Sequence, residues 1–222
     1  MAVIHHTTLV PGKLDLLKDW LPSQGWYVET TAGRPELSRA GGFRLDDPDG
    51  EVGIEFMIVL DQAAGNAAAY LVPMTYRGSP LAGAQDALIG TTEHGVLGTR
   101  WIYDGVRDPV LLTQLGELIQ GRAQAQAQSE SDTPDPTVHS RPVPEAVAAP
   151  DARLDINFVR ILIPADTSLG AELGSAGAGQ VSATWTGADG SQVRSVVATA
   201  TVAAGLGSLP GSELAEGTAQ RP

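Results

Sequence analysis

Residues 13–21 bring Leu14, Leu17 and Leu21 onto one helical stripe, widened by Leu16 and Trp20, and Pro22 ends the run. Gly33, Pro35, Gly41 and Gly42 then mark a loop and the entry to a strand at Phe43–Leu45. After the turn composition Asp46-Asp47-Pro48-Asp49-Gly50, the period changes to two. Val52, Ile54, Phe56, Ile58 and Leu60 alternate with Gly53, Glu55, Met57 and Val59, which predicts a strand with one strongly buried face. Residues 68–77 predict its neighbour, with Tyr70, Val72, Met74 and Tyr76 on one face. Pro73 inside that run lacks an N–H for a ladder, so it predicts an edge position or a bulge. Short turns between consecutive strands point to an antiparallel meander rather than βαβ units. Gly78–Asp86 reads as a loop and Thr99–Tyr103 as a further strand. Asp108 is a good N-cap with Pro109 in the first helical position. The helix runs to about Gln120 with Leu111, Leu112, Leu115, Leu118 and Ile119 on its apolar face, and Gly121 stops it.

The pattern then breaks. Residues 123–151 are rich in Ala, Gln, Ser and Pro and read as a linker, although the Ala-Gln stretch is also compatible with a strand. Residues 152–203 recover a β pattern. Leu154, Ile156, Phe158, Arg160 and Leu162 alternate with their neighbours, and Gln180–Thr186 and Ser191–Val202 flank Gly187-Ala188-Asp189-Gly190 as a hairpin. A β unit of this size has a marginal core by itself, so it is expected to dock on the first domain or on a partner. Residues 204–222 lack periodicity and are expected to be disordered. The predicted class is α+β: a curved antiparallel sheet on two helices over residues 1–122, then the linker and a small β-rich module.

Composition narrows the function classes. The chain has 222 residues and a formal net charge of −12, which repels phosphate backbones and anionic lipid, so neither nucleic acid nor membrane is expected as a partner. With no cysteine there is no thiol nucleophile, thiolate metal site or disulfide. The first twelve residues lack a charged-then-apolar leader pattern, and no run of 18 apolar residues occurs. A cytoplasmic location is the expectation.

Two segments carry a family resemblance. Asp19-Trp20-Leu21-Pro22-Ser23-Gln24-Gly25-Trp26-Tyr27 resembles the entry of bacterial maltokinases, where a Trp-Leu-Pro…Gln-x-Trp-Tyr segment opens the N-terminal cap domain. Gly90-Thr91-Thr92-Glu93-His94-Gly95-Val96-Leu97-Gly98, continuing through Arg100-Trp101-Ile102-Tyr103-Asp104-Gly105, is similar to actinobacterial maltokinase cap-like proteins. The resemblance spans about residues 1–122 and implies a sheet wrapped around a helix, somewhat as in cystatins, and a setting in α-glucan (trehalose–glycogen) metabolism. Gly25 stands where maltokinases usually carry Arg. In maltokinases a strand after the cap supplies the lysine that holds ATP phosphates; Leu154–Leu162 matches that strand in pattern but places Asn157 at the lysine. An amide brings no charge to a triphosphate. A kinase catalytic loop, a D-F-G segment and a G-x-x-x-x-G-K-[ST] loop are all missing from the sequence, so phosphoryl transfer lacks its positioned charges.

Several clusters invite chemistry. His5-His6 would point to opposite faces of a strand and read as a surface pair rather than a chelate. The carboxylates at 46–51 faintly resemble a calcium loop, but Pro48 breaks the spacing and a hairpin turn is the expectation. Glu93, His94, Arg100 and Asp104 form the leading candidate cluster: an acid–base pair with an anion clamp, or a turn in which Arg100 pairs with Glu93 or Asp104. With Trp101 and Tyr103 these residues make a candidate ligand or partner surface, without a catalytic set, metal or cofactor. Trp20, Trp26, Tyr27, Trp101 and Tyr103 are either core closures or a sugar-stacking platform. The expected function is a non-catalytic binding or regulatory protein that docks on a sugar kinase or related α-glucan enzyme. A cap plus vestigial N-lobe of a split sugar kinase, or a carbohydrate-binding module with a sugar ligand, are the alternatives.

Overall fold

The computed structural model describes residues 9–28, 33–63, 67–130, 132–144, 153–167, 170 and 178–203. His5-His6 and residues 204–222 lie outside them, as do the end of the linker at 145–151 and residue 152. Among the described residues the chain is mostly antiparallel sheet with two short helices of defined extent, broadly α+β. Its strands are β1 (Leu9–Val10), β2 (Leu37–Leu45), β3 (Gly53–Asp61), β4 (Ala68–Arg77), β5 (Leu88–His94), β6 (Gly98–Asp104), β7 (Gln126–Ala127), β8 (His139–Arg141), β9 (Leu154–Phe158), β10 (Gly179–Thr186) and β11 (Gln192–Val202). Helix α1 is Lys13–Trp20 and α2 is Pro109–Ile119.

All of these strands join one sheet in the order β1-β5-β6-β4-β3-β2-β10-β11-β9, with β7 added to β2 and β8 to β10. The sheet also turns back on itself. Just beyond β9, the Arg160 carbonyl accepts from Leu71 N–H at 2.9 Å and Leu162 N–H donates to the Ala69 carbonyl at 2.8 Å. That closes a circuit through β4, β3, β2, β10, β11 and the β9 strand line.

Alternation along β3 divides the interior. Ile54, Phe56, Ile58 and Leu60 face a core filled by Leu111, Leu115, Leu118 and Ile119 of α2 and by Val181, Trp185 and Val197 of the last hairpin. Phe43 and Phe56, both fully buried, stack at its centre with ring centroids 4.4 Å apart. Met57 and Val59 face the other way, under Leu17, Trp20 and Leu21 of α1 and the turn that follows it. The two helices therefore cover opposite faces, each placed by the apolar stripe that its own sequence carries.

The sequence pattern places a boundary near 122 and sets 152–203 apart as a module. In the structure both stretches are strands of one sheet over one core, and Trp185 pairs with Gly41 across the join. The Ala-Gln part of the linker supplies β7, and the Pro-rich part supplies β8. Leu88–His94, to which the sequence pattern assigns no element, is a strand; it carries the buried Thr92, whose hydroxyl donates to the Pro11 carbonyl at 2.8 Å. β2 begins at Leu37, well before the strand expected at Phe43.

Pro73 marks a fork. Odd-numbered residues of β4 turn their backbone toward the β9 side, as the Ala69 and Leu71 bonds show. Pro73 has no N–H to offer there, and beyond it β4 changes partner, pairing Met74–Arg77 with β6. Gly42 solves a different constraint: its φ is +129°, and a Cβ there would lie 2.1 Å from the Phe56 carbonyl oxygen. Only glycine fits such a backbone beside a neighbouring strand.

Candidate functional site

The β5–β6 hairpin gathers the candidate residues, and their side chains are largely occupied with the turn itself. Glu93 accepts from the Thr99 hydroxyl at 2.6 Å, joining the two strands. His94 Nδ1 accepts from the backbone N–H groups of Val96 and Leu97 at 3.3 and 3.1 Å, so this nitrogen carries a lone pair and no proton. Arg100 Nη2 donates to the Leu97 carbonyl at 2.9 Å, rather than pairing with Glu93 or Asp104 as the sequence suggested. Gly98, with φ of +70°, takes the left-handed corner that returns the chain to β6. What this bracing presents is apolar: Val96 is 63% exposed and Leu97 46%, and Val10, 65% exposed, pairs beside them with Glu93.

The other three candidates turn elsewhere. Trp101 and Tyr103 pack with Leu81, Ala84 and Ala87, and the Tyr103 hydroxyl accepts from Leu81 N–H at 2.9 Å. They anchor the loop before β5. Asp104 ends β6 and pairs through Oδ2 with Arg160 Nη2 at 2.5 Å, both side chains being about nine-tenths buried. Arg160 also lies over the Trp26 ring, 5.0 Å from its centroid, so it staples the strand after β9 to the fork at Pro73. The six residues thus serve three places: a turn, a loop anchor and a seam.

The aromatic set is divided in the same way. Trp20 meets Trp26 at 5.9 Å, and Trp26 and Tyr27 meet Tyr70 at 6.0 and 5.5 Å, beneath α1. Trp101 and Tyr103 sit in the separate loop cluster, so the five rings form no single platform. In the acidic turn, the Asp47 carboxylate accepts from the N–H groups of Asp49, Glu51 and Val52 at 3.2, 3.0 and 2.9 Å. It organises the hairpin turn. Among the described residues no group of three or more His, Asp or Glu is placed to hold a metal ion. Nor, among them, is any helix long and apolar enough to cross a membrane.

Two features escaped the sequence. Glu55, only 5% exposed, accepts from Lys13 Nζ at 2.7 Å, the Tyr76 hydroxyl at 2.5 Å and Gln128 Nε2 at 3.0 Å. Burial and the adjacent carboxylate hold the Tyr76 phenol well above its ordinary value. This hub ties α1, β3, β4 and the linker together, and its members are too far apart in sequence to be read as a set. The second feature is the apolar pair Val96-Leu97, which had a legible signal: two large apolar residues between Gly95 and Gly98, where turns favour polar ones.

Residues 20–108 match the family model of the maltokinase N-terminal cap domain. That stretch runs from the end of α1 through both strands of the hairpin to the N-cap of α2. No curated protein matches the chain.

Proposed function

We propose that this is a non-catalytic binding or regulatory protein that docks through the β5–β6 hairpin tip. Its partner is a sugar kinase or related enzyme of α-glucan metabolism, with the cap sheet curled about α2 in the cystatin-like manner that the family resemblance implies. The observation that carries the reading is the apolar tip. Val96 and Leu97 stand in water on a turn whose backbone is fixed by His94, Arg100 and Glu93. A rigid apolar knob loses little conformational entropy on entering a partner's pocket, which favours association. The polar residues that suggested acid–base work are engaged in holding that knob.

The test is an affinity capture from an actinobacterial extract with the full chain, comparing wild type with Val96→Asp/Leu97→Asp. A sugar-phosphorylating enzyme is expected with the wild type and at least tenfold less with the variant, roughly the loss for two apolar anchors replaced by charge. Equal recovery from both, or no such enzyme from either, would overturn the proposal. The isolated chain is also expected to give no ATP turnover with maltose or glucosamine; measurable sugar phosphate would favour the split-kinase alternative instead.

A further inference from the structure

A groove of about 630 Å³ lies between the outer face of α2 and the edge of β9, and it shares no lining residue with the hairpin tip. Along one wall run Val106, Pro109, Leu112 and Gly116. The other wall is the β9 strand line from Arg153 to Phe158. Val159 N–H donates to the Val197 carbonyl and the Arg153 carbonyl accepts from Ala203 N–H, so the odd-numbered residues of this strand face β11. Even-numbered residues face the opposite way. At Arg160 and Leu162 that opposite edge is taken by β4. At Leu154, Ile156 and Phe158 β4 has already departed at the Pro73 fork, and among the described residues nothing bonds to their N–H and C=O groups.

We propose that this open edge is a strand-addition site for an extended segment of another protein, about five residues long and running antiparallel to β9. Every neighbour in the sheet is antiparallel, and an added antiparallel strand continues the line that β4 leaves. Its alternate side chains rest on Val106, Pro109 and Leu112, so they are apolar. Charge sets the rest of the sequence preference. The segment's C-terminal end falls beside Arg153, which lines the groove, is exposed and has no ion-pair partner among the described residues, whereas Arg122 is held by Glu117 at 2.8 Å. An acid at that end completes Arg153. Asp155, two residues along, repels a second acid opposite it, so the acidic position is confined to the end. In a chain of net charge −12 this is a narrow, directional preference rather than general attraction to anions.

The test uses the full chain and a labelled hexapeptide of alternating valine and threonine ending in glutamate, followed by fluorescence anisotropy. Saturable binding below about 1 mM is expected, in the range of weak strand-addition contacts. Glutamine in place of the glutamate, or Arg153→Glu in the protein, weakens it roughly fivefold or more. Ile156→Pro removes one outward N–H without touching the β11 ladder and is expected to abolish binding. The same peptide N-methylated at its edge-facing residues is expected not to bind the wild type, a result that stands even where the proline variant melts. No saturation with the parent peptide, or equal binding of the methylated one, overturns the proposal.

Discussion

Asp108→Ala is expected to remove about 3–5 kcal/mol of folding stability, the usual effect of deleting one partner of a buried ion pair. The Asp108 side chain has no exposed surface and takes both Arg77 nitrogens, Nε and Nη2, at 2.7 Å. The same carboxylate caps α2 by accepting from Val110 N–H at 2.9 Å. Deletion leaves the Arg77 guanidinium, only 20% exposed, without its counter-charge at the end of β4. It also leaves the first turn of α2 uncapped, a further loss of about 1 kcal/mol. Pairing Arg77→Met with Asp108→Asn keeps a cap acceptor and removes both charges, so it is expected to recover most of the loss in urea denaturation. The pH dependence has a definite sign. Burial alone would raise the Asp108 carboxyl, but its Arg77 bonds and the Val110 N–H outweigh it and hold the pKa below the ordinary value. A depressed folded-state pKa contributes stability above the unfolded value of about 3.9 and loses it as pH falls further through the folded value. Wild type and Asp108→Ala midpoints should therefore converge below about pH 4. A gap that stays constant down to pH 3 would show that the ion pair is not what Asp108 supplies.

What is legible in the sequence follows from period, and what is hidden follows from pairing. The stripe Leu14–Leu17–Leu21 and the alternation through Ile54, Phe56 and Ile58 each specify a local geometry and a buried face. Neither says which strand lies alongside. Gly41 meets Trp185 and Ala69 meets Leu162 only because the sheet curls shut, and no spacing within a short window encodes that. Pro73 shows the limit well: its missing N–H announces an irregularity, while only the register on both sides reveals a change of partner. β5 is hard to see in the sequence because its run is polar outside Leu88 and Ile89, and Gly90 interrupts it to make room for Leu16. At the candidate site the sequence groups Glu93, His94 and Arg100, whose hydrogen bonds in the structure are directed at groups of their own turn. Arg160, in sequence only a position in a strand resembling a kinase lobe, is the side chain that holds Asp104 across the fork.

A chain ending at Ala123 is expected not to fold cooperatively, although it contains the whole stretch that matches the cap family. Val181, Trp185, Val197 and Ala200 supply much of the wall opposite α2, and Leu162 closes it from the end of the β9 line. Without them Leu111, Leu115, Ile119 and Phe43, each fully buried in the complete chain, face solvent on one side. Fully exposing an apolar side chain of this size forfeits about 1.5–3 kcal/mol, and partial exposure of several together rivals the roughly 5–15 kcal/mol by which a domain is stable. The Asp104 carboxylate loses Arg160 at the same time and remains against the fork with its charge uncompensated. Residues 1–123 should therefore give a broad, non-cooperative urea transition and poorly dispersed amide resonances, against a single sharp transition for the full chain. Arg160→Leu/Asp104→Leu in the intact chain separates the two causes: it removes the seam charges and leaves the shared core, so it should keep the sharp transition with a modest shift. A well-dispersed spectrum and a steep transition from the truncated chain would show instead that the first 123 residues stand alone and the last hairpin is an attached module.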